Sequence, residues 1–316
     1  MLVVASLLSL LAIPAPCGVV RAPTAPAALP ASIVPTASAA TASTLPSYLS
    51  VADPASRLQV AGILSAAQGS PTAHAVLKRV AQTAQAHGRP VVVEVSKSKN
   101  DLGAYSYDSA VLTLNLQDVG GNPNANVATL VHELVHYMQR DIKLPSDLLE
   151  TEVESYITDF RVSQELGYKP PADDFNAALQ KSMKRGFKPF MRTLHKQYPD
   201  NAFLWGTPTR DYQARLQSII QESRPKLAEA VADRAAKKLV IDQMREIGQP
   251  QSEIKAYRQD NVPKIDARIV KYRRLIQWAR KDLAILSDSK ALRTARAYAR
   301  SVVRRAREFQ KEFTRN

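Results

Sequence analysis

Val127-Ala-Thr-Leu-Val-His-Glu-Leu-Val-His-Tyr-Met138 is the stretch on which the reading of this chain turns. It contains no helix breaker, and it carries His132 and His136 four residues apart. On an α-helix such residues lie on one face, so both imidazoles can reach a single metal ion. Glu133 sits about 100° further round, close enough to touch a water on that ion. Leu130, Val131, Leu134 and Val135 make the helix apolar on most sides, so it should be buried. Two histidines and a glutamate in a buried helix need partners, because an unpaired buried polar group is costly. Core hydrogen bonds are the bland solution. A metal with an open position and an adjacent carboxylate is the chemical one, and it is the pattern of a hydrolytic Zn2+ site.

A third ligand is needed. Leu148-Leu-Glu-Thr-Glu-Val-Glu-Ser-Tyr-Ile157 supplies Glu150, Glu152 and Glu154. If the stretch is helical, Glu150 and Glu154 share a face and Glu152 points nearly opposite. Geometry therefore leaves Glu150 and Glu154 as alternatives. A solvated face bearing all three is the non-chemical reading.

With these residues in view, the chain resembles a minimal zincin metallopeptidase of the glutamate-zincin type. In that group a Glu on the helix after the motif helix completes the metal site, often in the pattern Glu-x-Glu-Ala. Glu152-Val153-Glu154-Ser155 matches with Ser in place of Ala, and the resemblance favours Glu154. It spans about residues 90 to 165. No His or Asp follows His136 at the short Gly-containing spacing of metzincins. The resemblance implies a peptide or protein substrate and an exported, bacterial-like enzyme.

The residue types suggest roles. Glu133 would act as general base and then acid, while the metal polarises the scissile carbonyl. A developing oxyanion wants a further donor, for which Tyr156 and Tyr137 are candidates, though helix tyrosines usually serve packing. Asp159 would accept a hydrogen bond from a ligand histidine, or simply face solvent.

Upstream, Pro90-Val-Val-Val-Glu-Val-Ser96 is short and β-branched, which predicts a strand. Leu102 to Asn115 reads as strand, turn near Asp108-Ser109, strand, with Leu112, Leu114 and Leu116 on the apolar face. Gly120-Gly-Asn-Pro-Asn-Ala-Asn126 then breaks the chain and caps the motif helix. The expected fold is α+β: a small antiparallel β-sheet or hairpin packed on the HExxH helix, followed by a mostly α-helical C-terminal region with an antiparallel helical hairpin. The strand beside the cleft would bind a peptide as an added strand.

Leu2 to Ile13 is an uncharged apolar run of signal-peptide length with small residues near Val20-Arg-Ala22. No Lys or Arg follows Met1, so residues 1–22 read as a signal peptide or an N-terminal anchor. Residues 23–49 are rich in Ala, Pro, Ser and Thr and read as a disordered linker. A metallopeptidase domain is expected over 50–207 and a basic helical region over 208–316. The expected location is secreted, periplasmic or cell-envelope. Cys17 is the single cysteine, which excludes a disulfide framework, a disulfide-linked partner and cysteine ligation of the metal in a mature chain.

Charge is uneven. Residues 208–316 hold 26 Lys and Arg against 13 Asp and Glu, a balance of +13 out of +14 for the whole chain. Ile265, Ile269, Tyr272, Ile276, Ala279 and Leu283 form one apolar seam, and Leu292, Ala295, Ala299, Val302, Ala306 and Phe309 form another. Ser287-Asp-Ser289 would fold the two back on each other. Arg293, Arg296, Arg300, Arg304 and Arg307 flank the second seam and could hold an anionic polymer or membrane surface. A non-catalytic surface-polymer or nucleic-acid binding protein with a structural or vestigial metal site is therefore the competing class. No aromatic-interleaved nucleic-acid motif, phosphate loop or Gly-x-Ser-x-Gly elbow is present. His74, His87 and His195 lack partner spacing and read as surface or core residues.

Overall fold

The structure is a computed structural model, and it describes residues 45–96, 103–106, 111–115, 122–142, 144–146, 148–199, 201–206 and 209–315. The expected leader, most of the linker and the turn near Asp108-Ser109 lie outside the described residues. Among the described residues no helix is long and apolar enough to cross a membrane.

The chain divides into two compact units. The first takes its described residues from Met1–Ile142, Asp147–Trp205 and Ala297–Asn316, and the second from Lys143–Ser146 and Gly206–Arg296. One division falls between Trp205 and Gly206. The stretch 208–316 is nevertheless not one region, because residues from Ala297 onward belong to the first unit.

The first unit opens with β1 (Leu49–Ser50), α1 (Pro54–Ala67) and α2 (Pro71–His87). Both helices start where a side chain caps them: Asp53 accepts from Ser56 N–H, Ser70 accepts from Ala73 N–H, and proline follows each cap. Then come β2 (Val91–Ser96), β3 (Gly103–Ser106) and β4 (Val111–Asn115), in sheet order β1-β2-β4-β3. The β3–β4 pair is antiparallel, as the alternation suggests, but β1–β2 and β2–β4 are parallel, so the sheet is mixed rather than antiparallel. The parallel pairing follows from connectivity, since helical chain between β1 and β2 returns β2 in the same direction. Val91, Val93, Leu112 and Leu114 face a core shared with α1, α2 and α3 (Pro123–Gln139).

Helix α3 carries the HExxH stretch. Asn122 caps it, accepting from Asn124 N–H, with Pro123 at the first helical position. A 3-10 turn, Arg140–Ile142, follows, and α4 (Leu149–Glu165) packs back against α3. The end of α4 is tied to the start of α2: Ser70 and Thr72 hydroxyls and Thr72 N–H (3.0 Å) all donate to the Glu165 carboxylate. A carboxylate at a helix N-terminus also meets the positive end of the helix dipole.

A second core joins α4, α5 (Phe175–Arg185), α6 (Phe187–Gln197) and the C-terminal part of α9 (Ser289–Phe313). Val153, Phe160, Met183, Phe190, Val302 and Phe309 are its centre.

The second unit is dominated by α7 (Thr209–Glu246) and α8 (Gln251–Ser287), packed antiparallel through Leu227, Ala230, Ile265 and Ile269 near one end and Ile241, Ile254 and Val262 near the other. Arg234–Asp266 (2.7 Å), Arg268–Asp233 (2.9 Å) and Arg268–Glu229 (3.0 Å) line the seam. An antiparallel helical hairpin is therefore present, but α7 and α8 make it rather than the two seams joined by Ser287-Asp-Ser289. The seam of α9 is different in destination: Val302, Ala306 and Phe309 pack into the second core of the first unit. Asp282 is buried here, accepting from Ser146 N–H (2.9 Å), Ser146 hydroxyl (3.2 Å) and Tyr212 hydroxyl (3.0 Å). Burial raises its pKa to about 6, against the lowering effect of those donors.

Candidate metal centre

Helices α3 and α4 bring His132, His136 and Glu152 together, their ligand atoms all within 4.8 Å of one another. His132 Nε2 lies 3.7 Å from Glu152 Oε2, and His136 Nε2 lies 3.6 Å from Glu152 Oε1. These separations are too long for good hydrogen bonds. They are close to the edge of a tetrahedron around an ion bound at 2.0–2.1 Å, about 3.3 Å. Glu152 Oε2 and Glu133 Oε2 are buried without a hydrogen-bond partner among the described residues. Buried carboxylate oxygens left bare would be costly. A cation held by the three side chains resolves that cost, so the donor set fits a metal.

Glu152, not Glu154 or Glu150, is the carboxylate that meets the histidines. The face of α4 turned toward α3 carries Glu152, Tyr156 and Asp159, all buried. Glu154 lies about 200° round the helix from Glu152. Its carboxylate accepts from Arg305 (2.6 Å), Tyr298 hydroxyl (2.6 Å) and Gln139 (3.0 Å). Burial disfavours its charge, but Arg305, Tyr298 and Gln139 outweigh burial and hold Glu154 below the usual carboxylate range. Glu150 is fully buried and accepts from Trp205 N–H at 2.8 Å; burial pushes it up to about 7, against the lowering effect of backbone N–H groups. Glu150 and Glu154 do share a helix face, but four-residue spacing alone does not say which face meets α3. The stripe Glu152, Tyr156, Asp159, Phe160 and Ser163 at three- and four-residue spacing marks that face.

The orientation of His136 is fixed from behind. Its Nδ1 lies 2.8 Å from Gln139 Oε1. Gln139 Nε2 in turn faces the Thr151 carbonyl (3.1 Å), Glu154 (3.0 Å) and the Tyr298 hydroxyl oxygen (3.0 Å). Those acceptors set the amide's orientation, so Oε1 faces His136 and Nδ1–H is the donor. Nε2 is thereby the atom presented to Glu152. Such outer partners fix the tautomer of a ligand histidine. Gln139 was not singled out, although its place one turn beyond His136 on the same face is a signal that could have found it; Tyr298 and Arg305, about 150 residues away in sequence, carried no local signal.

Electrostatically the cluster is a buried pair of histidines against a carboxylate. Burial opposes a charge on His132, but Glu152, Glu133 and Asp159 outweigh it and raise its pKa. For His136 burial wins and the pKa falls, despite Glu152. Glu152 is driven up by burial, yet His136, His132 and Tyr198 bring it below its ordinary range. Glu133 is raised to about 8, chiefly by burial, with His132 and the Tyr105 N–H opposing. A bound dication would lower these carboxylate values again.

The expected tyrosines separate. The Tyr156 ring packs edge-on against His132, with centroids 4.6 Å apart, and its hydroxyl lies 2.9 Å from that of Tyr198. Burial and Glu152 raise both tyrosine pKa values well above 10. Both hydroxyls thus keep their protons. Tyr198, just past α6, was not singled out by any motif. Tyr137 instead lies in the core beside Tyr105, ring centroids 6.0 Å apart, and is not part of the cluster. Asp159 is buried, accepts from Ser163 hydroxyl (3.1 Å) and faces the charge of His132; burial raises it to about 6. His87 pairs with Asp141 at 2.8 Å, away from the cluster.

Strand β3 crosses the same place. A Cβ on Gly103 would lie 2.8 Å from Thr129 Cγ2, 3.1 Å from Glu133 Cγ and 3.3 Å from Glu133 Oε1. Glycine is what lets the strand backbone approach α3 so closely. Among the described residues β3 is also an edge strand. Among the described residues the cluster has three members of metal-ligating type. Comparison with known protein families, with curated proteins and with solved structures finds no match to this chain.

Proposed function

We propose that the protein is a zinc-dependent metallopeptidase in which His132, His136 and Glu152 hold the metal and Glu133 is general base and acid. The observation that carries this is the convergence of two imidazoles and a buried carboxylate beside a Glu133 oxygen that has no partner among the described residues. Three protein ligands favour a catalytic site over a structural one, which is normally closed by four. Zinc bound there would supply Lewis acidity and lower the pKa of water.

The chain's own residues do the rest. Glu133 takes the proton of the attacking water and passes it to the leaving amine. Tyr156 and Tyr198 are both protonated and paired through their hydroxyls, and once Glu152 turned to a bound metal the hydroxyl proton that Tyr198 shares with it would be free for the oxyanion that develops. Gln139 holds His136 with Nε2 inward. The edge strand β3 supports an extended peptide as substrate, paired along its backbone. Zinc fits a His, His, Glu donor set, being borderline-soft and tolerant of nitrogen and oxygen.

The test is metal analysis together with a peptide-hydrolysis assay on wild type and Glu133→Gln. The variant should retain its metal and lose turnover by at least about 100-fold, the lower range for removing a positioned proton-transfer group. Equal turnover in the two proteins would remove Glu133 from the mechanism. A metal-free wild type that resists loading would remove the whole reading.

A further inference from the structure

The last turns of α9 enclose a second site, within the first unit, that the peptidase reading does not use. Trp205, Arg300, Val303, Arg304, Arg307, Glu308 and Lys311 line an open hollow of about 230 Å³. Val303 is buried and forms an apolar floor. Four cationic side chains and one carboxylate surround it. Among the described residues no ion pair is formed by Arg300, Arg304 or Lys311. Arg307 is steadied from one side, its guanidinium 5.2 Å from the Phe187 ring centroid.

A row of arginines on a helix is ordinarily a solvated face. Two observations separate this one from that case. The row is concave, walled by Trp205, whose side chain is 45 % exposed at the rim. The wall is also held in place at a cost. The Trp205 backbone is clamped by Glu150, a fully buried carboxylate whose second oxygen has no partner among the described residues. Burying an ionisable group with an oxygen unpaired is expensive, so the fold holds the Trp205 turn in place against a cost.

We propose that this pocket binds a compact polyphosphate group, gripped by Arg300, Arg304, Arg307 and Lys311 against the Trp205 wall. Guanidinium forks match phosphate oxygens in pairs, and clustered like charges left unpaired are relieved by a multivalent anion. Size decides between a compact anion and a larger organic ligand. The hollow is smaller than the roughly 300–1,000 Å³ usual for drug-sized ligands. Glu308 on the rim interrupts the positive row, which disfavours a long anionic polymer lying along the helix.

The full-length chain carrying Trp278→Phe makes Trp205 the sole tryptophan, since the chain has two. Among the described residues Trp278 Nε1 has no hydrogen-bond partner, so the exchange leaves no polar group there stranded. Inorganic triphosphate is titrated against Trp205 fluorescence at fixed ionic strength, with a sulfated polysaccharide as a second arm. The expected result is saturable, one-to-one binding of triphosphate with Kd below about 1 mM. Arg300→Gln with Arg304→Gln should weaken it at least tenfold, while Lys264→Gln with Arg273→Gln, exposed cations of the second unit, should leave it unchanged. Circular dichroism checks that each variant is folded. Absence of a saturable triphosphate signal, equal weakening in both double variants, or binding of the polysaccharide alone would overturn the proposal.

Discussion

At the scale of single residues, three neighbouring glutamates of one helix take three different partners. Glu152 faces the histidines, Glu154 faces Arg305 and Tyr298, and Glu150 clamps a turn. If Glu152 is a ligand, Glu152→Gln should weaken zinc binding by more than about 100-fold, beyond the 10–100-fold usual for an outer partner. Glu154→Gln should fall inside that lower range, because it acts through Gln139. Competition with a chromophoric chelator measures both. Similar losses in the two variants would reinstate Glu154 as a ligand. A different carboxylate offers a pH test. Asp282 has a folded pKa of about 6 against an ordinary 3.8. The folded state therefore binds its proton more tightly, and stability falls as pH rises between those values. The shift corresponds to about 3 kcal/mol at most. The unfolding free energy of wild type relative to Asp282→Asn should decline across pH 4 to 6 and be flat above about pH 7. A flat difference throughout would show that Asp282 does not titrate in that window.

At the scale of elements, the site is a meeting of α3, α4 and β3, supported by α9. Gly103 sets how near β3 comes to α3. Gly103→Ala should destabilise the protein by roughly 1–3 kcal/mol, the usual range for overpacking a tight contact. Adding Thr129→Ser removes the methyl at 2.8 Å and should restore part of the loss, since the hydroxyl bond to Ala125 O is kept. Denaturant melts of the single and double variants decide it. Tyr298→Phe should weaken zinc binding up to about tenfold while leaving circular dichroism unchanged, because its hydroxyl steadies Gln139 and Glu154 rather than the core. How much of this could be read in advance follows from range. The α3 helix, its Asn122 cap, the β3–β4 alternation and the two imidazoles depend on residues close in sequence, and each was legible. Which face of α4 meets α3, the parallel pairing of β2 with β4, and the destination of the α9 seam depend on distant partners. Helical periodicity reports that a face is apolar, not what covers it.

At the scale of the whole molecule, the feature least expected from composition is the return of residues from Ala297 onward to the first unit. Charge marks 208–316 as a basic appendage, yet Val302, Phe309 and Phe313 are buried in the core around Phe160 and Phe190. Burying three such side chains is worth about 6 kcal/mol, a large share of the 5–15 kcal/mol that holds a typical domain together. A chain ending at Arg296 should therefore fail to fold α4, α5 and α6 natively, as seen by limited proteolysis and loss of near-ultraviolet dichroism. Native-like protection of Phe160 and Phe190 in the shortened chain would refute this. Timing follows from the same arrangement. A polypeptide leaves the ribosome N-terminal end first, so the histidines emerge long before Tyr298 and Arg305, whose contacts steady His136 through Gln139. During translation the cluster therefore gains its outer support last, only when α9 has been made and has packed.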